Sequence, residues 1–126
     1  MKEGKDIWFE NLPEGCPPSD AEECCGRYYR IASGNPVKAC DFFSQRMMQP
    51  LKDFGEINEC IARSLSLFDT LEAAERRLKL PKFKQARIVS VDLSSEDGVI
   101  KKTFGKSHYS WWRTKNFDIS KAKMER

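Results

Sequence analysis

The 126-residue chain lacks most of the residue patterns that mark a well-known kind of site. It has one histidine and seven glycines, and the glycines never cluster. No phosphate-binding glycine loop, dinucleotide fingerprint, HExxH helix or nucleophile elbow is present, so the common nucleotide-binding, zinc-protease and serine-hydrolase signatures are absent. No internal repeat or low-complexity tract occurs, which argues against a repeat protein.

The cysteines and the first residues bear on the cellular compartment. The five cysteines are an odd number and include no CxxC pair; they are Cys16, Cys24, Cys25, Cys40 and Cys60. The first ten residues are charged and contain no apolar stretch of the length that a signal peptide or a membrane span needs. We therefore expect reduced thiols, a cytoplasmic location, no membrane association and no metal site.

Composition predicts one soluble globular domain with an uneven charge distribution. Hydrophobic residues make up 40% of the chain and charged residues 33%. Basic residues concentrate at the C-terminal end, because residues 98–126 contain eight basic and two acidic side chains. That concentration favours an anionic partner such as a nucleotide, a nucleic acid or an acidic protein surface. A solvated basic tail without a partner is the other interpretation.

Hydrophobic patterns predict a compact α+β domain over residues 27–117, preceded by an irregular arm (1–26) and followed by a basic tail (118–126). The expected strands are 27–32, 65–68, 85–93 and 99–104, with the last two forming an antiparallel hairpin. The expected helices are 37–48, 57–63 and one from Asp69 to Pro81 that begins with a capping box. We therefore expect a small mixed or antiparallel sheet with two to three short helices. Trp8 and Phe9 are expected to hold the arm on the body. The oligomeric state is not determined by these patterns.

An aromatic and basic segment over residues 105–117 is the strongest candidate for a partner-binding surface. Its candidate contact residues are Lys106, His108, Tyr109, Trp111, Trp112, Arg113 and Lys115. Tryptophan rings flanked by cations suit stacking on a planar anionic ligand, but they suit filling a small core equally well. We expect a split, in which one tryptophan anchors the segment in the core and the other faces a partner.

Three motifs occur in an order that resembles the layout of small ADP-ribosyltransferase-like domains. They are Tyr28-Tyr29-Arg30 on an early strand, Asp41-Phe-Phe-Ser44 after a loop, and the strand, turn and helix of residues 62–74. The resemblance implies that NAD is the cofactor. It also implies that Arg30, beside Tyr29, meets the NAD phosphates or ribose, and that Ser66, or more weakly Ser44, lines the nicotinamide pocket. The late glutamate of that family has no matching motif here.

Each of these residues also has a structural interpretation. Arg30 suits an ion pair at a sheet edge, and Ser66 suits the outward position of a half-buried strand. His108 suits acid–base chemistry or a packed, hydrogen-bonded ring. Two functions therefore stay open: an NAD-dependent transferase that uses Arg30, Ser66 and His108 on a protein or nucleic-acid target, or a non-catalytic binding protein, such as an antitoxin-like or counter-defence factor.

Overall fold

The computed structural model describes residues 7–34, 36–81 and 85–125, so residues 1–6 of the predicted arm and residue 126 of the predicted tail lie outside it. The protein is an α+β domain built on an antiparallel sheet. The strands are β1 (Glu22–Glu23), β2 (Gly26–Ala32), β3 (Leu65–Phe68), β4 (Arg87–Leu93), β5 (Gly98–Lys102), β6 (His108–Arg113) and β7 (Lys123–Met124). The α-helices are α1 (Gln45–Met48), α2 (Glu59–Ala62) and α3 (Leu71–Leu78), and 3₁₀ turns lie at Ala39–Phe42, Ser95–Asp97 and Ile119–Lys121.

The seven strands form one sheet in the order β1-β5-β6-β3-β2-β4-β7, and every pairing is antiparallel. The predicted hairpin between residues 85–93 and 99–104 is wrong. β4 pairs with β2 and β7, whereas β5 pairs with β1 and β6, so these consecutive strands lie in opposite halves of the sheet. The sheet as a whole is antiparallel, which is one of the two alternatives that the sequence left open.

The connection between β4 and β5 explains why no hairpin forms. Residues 95–97 make a 3₁₀ turn, and the carboxylate of Asp97 accepts a 2.9 Å hydrogen bond from the Ser94 N–H. Gly98 follows with φ 131°, and a Cβ at this position would overlap the carbonyl oxygen of Trp112. The turn therefore carries β5 directly onto β6 instead of back along β4.

Two apolar clusters cover the two faces of the sheet. One contains Leu65, Leu67, Val89, Val91 and Trp111, with Phe42 and Phe117 packed over them. The other lies under α3 and contains Phe68, Ala73, Ala74 and Ile88. Side chains alternate between the two faces along a strand, so Leu65 and Leu67 of β3 lie in the first cluster and Phe68 lies in the second.

The helices differ in detail from the sequence prediction. The segment 37–48 is not one helix, because Phe43 and Ser44 are extended and separate a 3₁₀ turn from α1. α2 lies within the predicted segment 57–63. The N-cap of α3 is Thr70, whose hydroxyl accepts a hydrogen bond from Ala73 N–H, and not Asp69 of the predicted capping box.

The expectation that one tryptophan of β6 faces a partner is wrong. Trp111 and Trp112 are both at most 1% exposed and, as strand neighbours, point to opposite faces. The Trp111 indole donates to the carbonyl of Asp97 (3.0 Å), and the Trp112 indole donates to that of Cys60 (2.9 Å). Because both rings are enclosed and their N–H groups are satisfied, neither can stack on an external ligand.

The N-terminal arm is held on the body along residues 7–16. Trp8 forms an isolated antiparallel bridge with Thr114, and the Phe9 ring lies 3.7 Å from the Arg113 guanidinium carbon. Both aromatics therefore hold the arm, as predicted. Farther along, Cys16 is joined to Cys60 of α2 by a disulfide, which corrects the expectation that all five cysteines are thiols.

The other cysteines are free, and they differ in exposure. Cys24 is buried, Cys25 is exposed and Cys40 is half-buried. Burial, with a smaller contribution from Asp97, raises the pKa of the Cys24 thiol to about 12. None of the helices within the described ranges is long and apolar enough to cross a membrane.

Candidate functional site

The pairing of β3 with β6 brings Ser66 and His108 together, although they are far apart in sequence. Ser66 pairs with Ser110, and Phe68 pairs with His108. Paired residues of antiparallel strands share a face, so the hydroxyl of Ser66 lies diagonally opposite the imidazole of His108. The Ser66 Oγ to His108 Nε2 distance is 3.0 Å.

The other ring nitrogen of His108 determines the direction of this hydrogen bond. Nδ1 lies 3.1 Å from the carbonyl oxygen of Thr103. A carbonyl oxygen can only accept, so Nδ1 carries the proton and Nε2 accepts from the Ser66 hydroxyl. The Thr103 hydroxyl lies 3.2 Å from Nδ1 and 2.8 Å from the Ser110 hydroxyl, which completes a polar cluster on this face.

His108 is enclosed, whereas Ser66 is exposed. The imidazole is 7% exposed and makes edge contacts with the rings of Phe68 and Phe104, at centroid distances of 5.4 and 5.5 Å. Burial lowers the pKa of His108 below its ordinary value, and the positive charge of Arg77 lowers it further, against a hydrogen bond to Thr103 that raises it. His108 is therefore a neutral base at pH 7, in contact with an exposed hydroxyl.

Arg30 lies where β2 and β3 separate. The two strands share a single register pair, Tyr29 with Phe68. Beyond that pair, the guanidinium of Arg30 donates to the carbonyls of Asp41 (2.7 Å), Ser66 (2.8 Å) and Phe43 (3.4 Å). A guanidinium has five N–H groups, and these three carbonyls of the described residues accept from three of them, so the terminal nitrogens can also donate to a ligand.

The charge of Arg30 is maintained despite its surroundings. Burial lowers the pKa of Arg30 to about 10, against the opposing effect of the Asp41 carboxylate, so the side chain is protonated at neutral pH. Burial also acts to raise the pKa of Asp41, but the N–H groups of Lys38 and Ser33 hydrogen-bond to its carboxylate and hold that pKa below its ordinary value.

The gap between β2 and β3 opens into a groove, made of three adjoining cavities that share lining residues. The first has a volume of about 480 Å³ and includes Arg30, Cys40 and Asp41. The second, of about 390 Å³, includes Arg30, Ser66 and His108. The third, of about 280 Å³, includes Arg76, Lys106 and His108. The first two cavities share Arg30, Ile31, Phe43 and Gln45, and the last two share Phe68, Arg77, Phe104 and His108.

The groove is basic and partly aromatic. Its charged lining residues are Arg30, Asp41, Arg76, Arg77 and Lys106, of which one is acidic. Phe104 is 67% exposed at the rim and has φ 57°, an unusual conformation for a residue other than glycine. A lining of this kind suits an anionic ligand with a planar part.

Comparison with protein-family models, curated proteins and solved structures returns no match. Within the described ranges, no group of three or more His, Cys, Asp or Glu side chains could hold a metal ion.

The predicted cofactor residues divide between groove and core. Arg30 and Ser66 line the second cavity. Ser44 instead is buried, caps α1 and binds the Glu10 carboxylate, with an Oγ–Oε1 distance of 2.5 Å. Tyr29 packs against the cluster under α3 and lies outside the lining of the three cavities. The expectation of cofactor contacts at Ser44 and Tyr29 therefore gains no support, because both side chains have structural partners.

The predicted partner residues also divide. Lys106 and His108 line the groove, and Lys115 is exposed away from it. Tyr109 is half-buried and packs on the opposite face, against Tyr28 at 5.5 Å. Arg113 is 7% exposed and donates to the carbonyls of Phe42 and Phe117. Residues 109–113 thus form sheet and core rather than a continuous partner surface.

The predicted site residues did not include the groove residues Arg77, Gln45 and Phe104, or Thr103, whose carbonyl holds His108. Arg77 lies on α3, and its guanidinium lies over the ring of Phe68, at 5.4 Å from the centroid. Thr103 contributes mainly a carbonyl, which no side-chain pattern can reveal. Gln45 lies in α1, within a segment predicted as a longer helix. A local signal existed only for Phe104, as an aromatic residue directly before Gly105.

Proposed function

We propose that the groove binds NAD, or a nucleotide of the same chemistry, and that the protein is an ADP-ribosyltransferase-like enzyme acting on a protein or nucleic-acid target. The observation that carries the proposal is that Arg30, Ser66 and His108, from three different strands, line one cavity. The resemblance in motif order implied Arg30 and Ser66, and the aromatic, basic segment 105–117 supplied His108, so two separate sequence features led to one cavity.

The form of the groove supports a ligand with two parts joined by phosphates. Arg30 lies at the boundary of the first and second cavities, and both have volumes within the range of small-molecule sites. A planar guanidinium matches the oxygens of a phosphate. The rings of Phe43, Phe68 and Phe104 offer apolar surface for a planar base.

Each residue has a chemical role in this proposal. NAD would supply the ADP-ribosyl group. Arg30 and Arg77 would bind its phosphates, and the Ser66 hydroxyl would hydrogen-bond to the ligand beside them. His108, neutral at pH 7, would accept a proton from the attacking group of the target through Ser66. The absence of a matching late glutamate means that the Ser66–His108 pair must act as the base.

Binding and turnover of NAD test the proposal. We expect NAD to raise the unfolding temperature, because a ligand at 100 times its Kd stabilises the folded state by about 2.7 kcal/mol. Arg77→Gln should remove most of this shift, whereas Arg87→Gln, at an exposed position outside the groove, should retain it. Labelled NAD should release nicotinamide or transfer its label, and absence of both binding and consumption would refute the proposal.

A second candidate function is binding without catalysis, and the exposed pair of Phe104 and Lys106 favours it. An exposed aromatic ring beside a cation, at the basic end of the groove, suits a base or an acidic protein segment. A salt titration separates the two partner types. If the partner is a nucleic acid, the logarithm of the affinity should fall steeply with the logarithm of the salt concentration. If the partner is an apolar protein surface, the fall should be shallow.

The cytoplasmic location remains a proposal from the sequence, and the disulfide between Cys16 and Cys60 weighs against it, because such bonds persist mainly in oxidising compartments. Quenching intact cells with acid and alkylating the protein in denaturant without a reductant, followed by intact-mass measurement, tests it. A cytoplasmic protein should carry five alkyl groups. Three alkyl groups, on Cys24, Cys25 and Cys40, would indicate an oxidising compartment.

A further inference from the structure

The contact between Ser66 and His108 has a geometry that NAD binding does not require. Three groups lie in a chain: the Ser66 hydroxyl donates to His108 Nε2, and His108 Nδ1–H donates to the Thr103 carbonyl. A serine is a weak nucleophile unless a base lies within hydrogen-bond reach and a third group orients that base. All three parts are present here, with a main-chain carbonyl in the orienting position.

The surroundings of Ser66 suit a nucleophile, and those of His108 suit a base. Ser66 is exposed to the groove, where a substrate can reach it, whereas His108 is buried between Phe68 and Phe104. The enclosed ring is held in the tautomer that leaves Nε2 free to accept a proton. Arg77 and Gln45 line the same cavity and carry N–H donors of the kind that stabilise a developing oxyanion.

We propose that Ser66 is an activated nucleophile and that the groove hydrolyses small esters that carry an anionic group, through an acyl-enzyme on Ser66. The basic residues Arg76, Arg77 and Lys106 line the adjoining end of the groove and select the anionic group. This activity goes beyond the proposed transferase function and does not depend on NAD.

The reaction has two balanced steps. Ser66 Oγ attacks the ester carbonyl carbon while its proton passes to His108 Nε2, and the alcohol then leaves with that proton. Water next attacks the acyl-serine while giving a proton to Nε2. The carboxylic acid leaves, and the proton returns to Ser66 Oγ. No oxidant, reductant or metal is needed.

A fluorophosphonate probe tests the nucleophile directly. The full-length protein should gain one adduct that peptide mapping places on Ser66, and Ser66→Ala should gain none. Ser95→Ala, at an exposed serine outside the groove, should be labelled like the wild type. His108→Gln should slow labelling by at least about 100-fold, since general-base catalysis typically contributes that much. Adducts spread over several serines, or absent altogether, would overturn the proposal.

Two further measurements keep the test decisive if His108→Gln fails to fold. In the wild type, the labelling rate should follow the deprotonation of His108, which is the only histidine and gives a single imidazole NMR titration. A rate independent of that titration would overturn the proposal. The nitrophenyl monoester of succinate should be hydrolysed with a kcat/KM at least about tenfold above that of nitrophenyl acetate, because ion pairing favours the anionic ester.

The transferase proposal and the nucleophile proposal can be refuted independently of each other. Labelling of Ser66 without NAD consumption supports the nucleophile and refutes the transferase. NAD consumption by a protein whose Ser66 is not labelled refutes the nucleophile and leaves the transferase. Protection of Ser66 from the probe by NAD would support both, because it would place nucleotide and nucleophile in one cavity.

Discussion

The guanidinium of Arg30 donates a 2.8 Å hydrogen bond to the main-chain carbonyl of Ser66, across the gap where β2 and β3 separate. The residue expected to hold a phosphate therefore also holds the strand that carries the proposed nucleophile. The opening between two strands would otherwise leave the carbonyls of Ser66, Asp41 and Phe43 without these donors. One side chain thus connects the fold to the chemistry of the groove.

Replacing Arg30 should destabilise the protein as well as impair the groove. Arg30→Gln should lower the free energy of unfolding by about 2–4 kcal/mol, because it leaves partly buried carbonyls without donors. Urea denaturation measures the change. Arg27→Gln is the matched control on the same strand, since its ion pair with Asp92 is more than half exposed, and its urea midpoint should stay close to that of the wild type. Equal midpoints for the two variants would contradict the bridging role of Arg30.

The stability of the protein should fall as the pH falls below about 6.5, the ordinary pKa of histidine. Burial and, more weakly, the charge of Arg77 lower the pKa of His108 in the folded state, against the hydrogen bond to Thr103 that raises it. The unfolded chain therefore binds the proton first, and stability is lost down to the folded pKa.

The contribution of His108 to this loss should be at most about 1.4 kcal/mol per pH unit, the limit for one proton. Urea denaturation at pH 7 and pH 5.5, with NMR titration of the imidazole, measures it. A titration midpoint above 6.5 in the folded protein would contradict the prediction.

Phe104→Gly should weaken ligand binding while leaving the stability of the protein nearly unchanged. Phe104 is exposed with φ 57°, a conformation that glycine adopts without strain, so the free energy of unfolding should change by less than about 1 kcal/mol. Loss of the ring should nevertheless weaken binding of any planar ligand in the groove. Phe104→Ala is the comparison, because it removes the ring and keeps the unfavourable φ. Unchanged ligand affinity in both variants would exclude Phe104 from the binding surface.

Reduction of the disulfide should destabilise the protein without preventing the sheet from forming. The bond joins Cys16 to Cys60 across 44 residues, and the chain-entropy relation gives about 4 kcal/mol for a loop of that size, with 2–5 kcal/mol typical of native disulfides. The double variant Cys16→Ser/Cys60→Ser should show this loss in urea denaturation and should no longer respond to dithiothreitol. If dithiothreitol shifts the midpoint of the double variant as far as that of the wild type, another bond is responsible.

Local patterns predicted the elements better than their arrangement. The strands 27–32 and 65–68 and the helix before Pro81 follow from β-branched, aromatic and capping residues that act within a few positions. The hairpin of 85–93 with 99–104 was wrong, because β5 pairs instead with β6, where Gly98 fits against the main chain of Trp112. No short-range pattern contains that contact.

The sequence by itself determined the α+β class, the approximate positions of β2, β3, β4 and β5 and the candidacy of Arg30, Ser66 and His108, because side-chain period and residue chemistry are local properties. Only the tertiary structure decided that Trp111 and Trp112 are both buried and that Ser66 lies 3.0 Å from His108. It also decided that Ser44 hydrogen-bonds to Glu10 and that Tyr29 packs against the apolar cluster under α3. The physical reason is that β-pairing joins segments about forty residues apart, and the register of β3 on β6 is selected by the burial of Leu65, Leu67 and Trp111 on the opposite face.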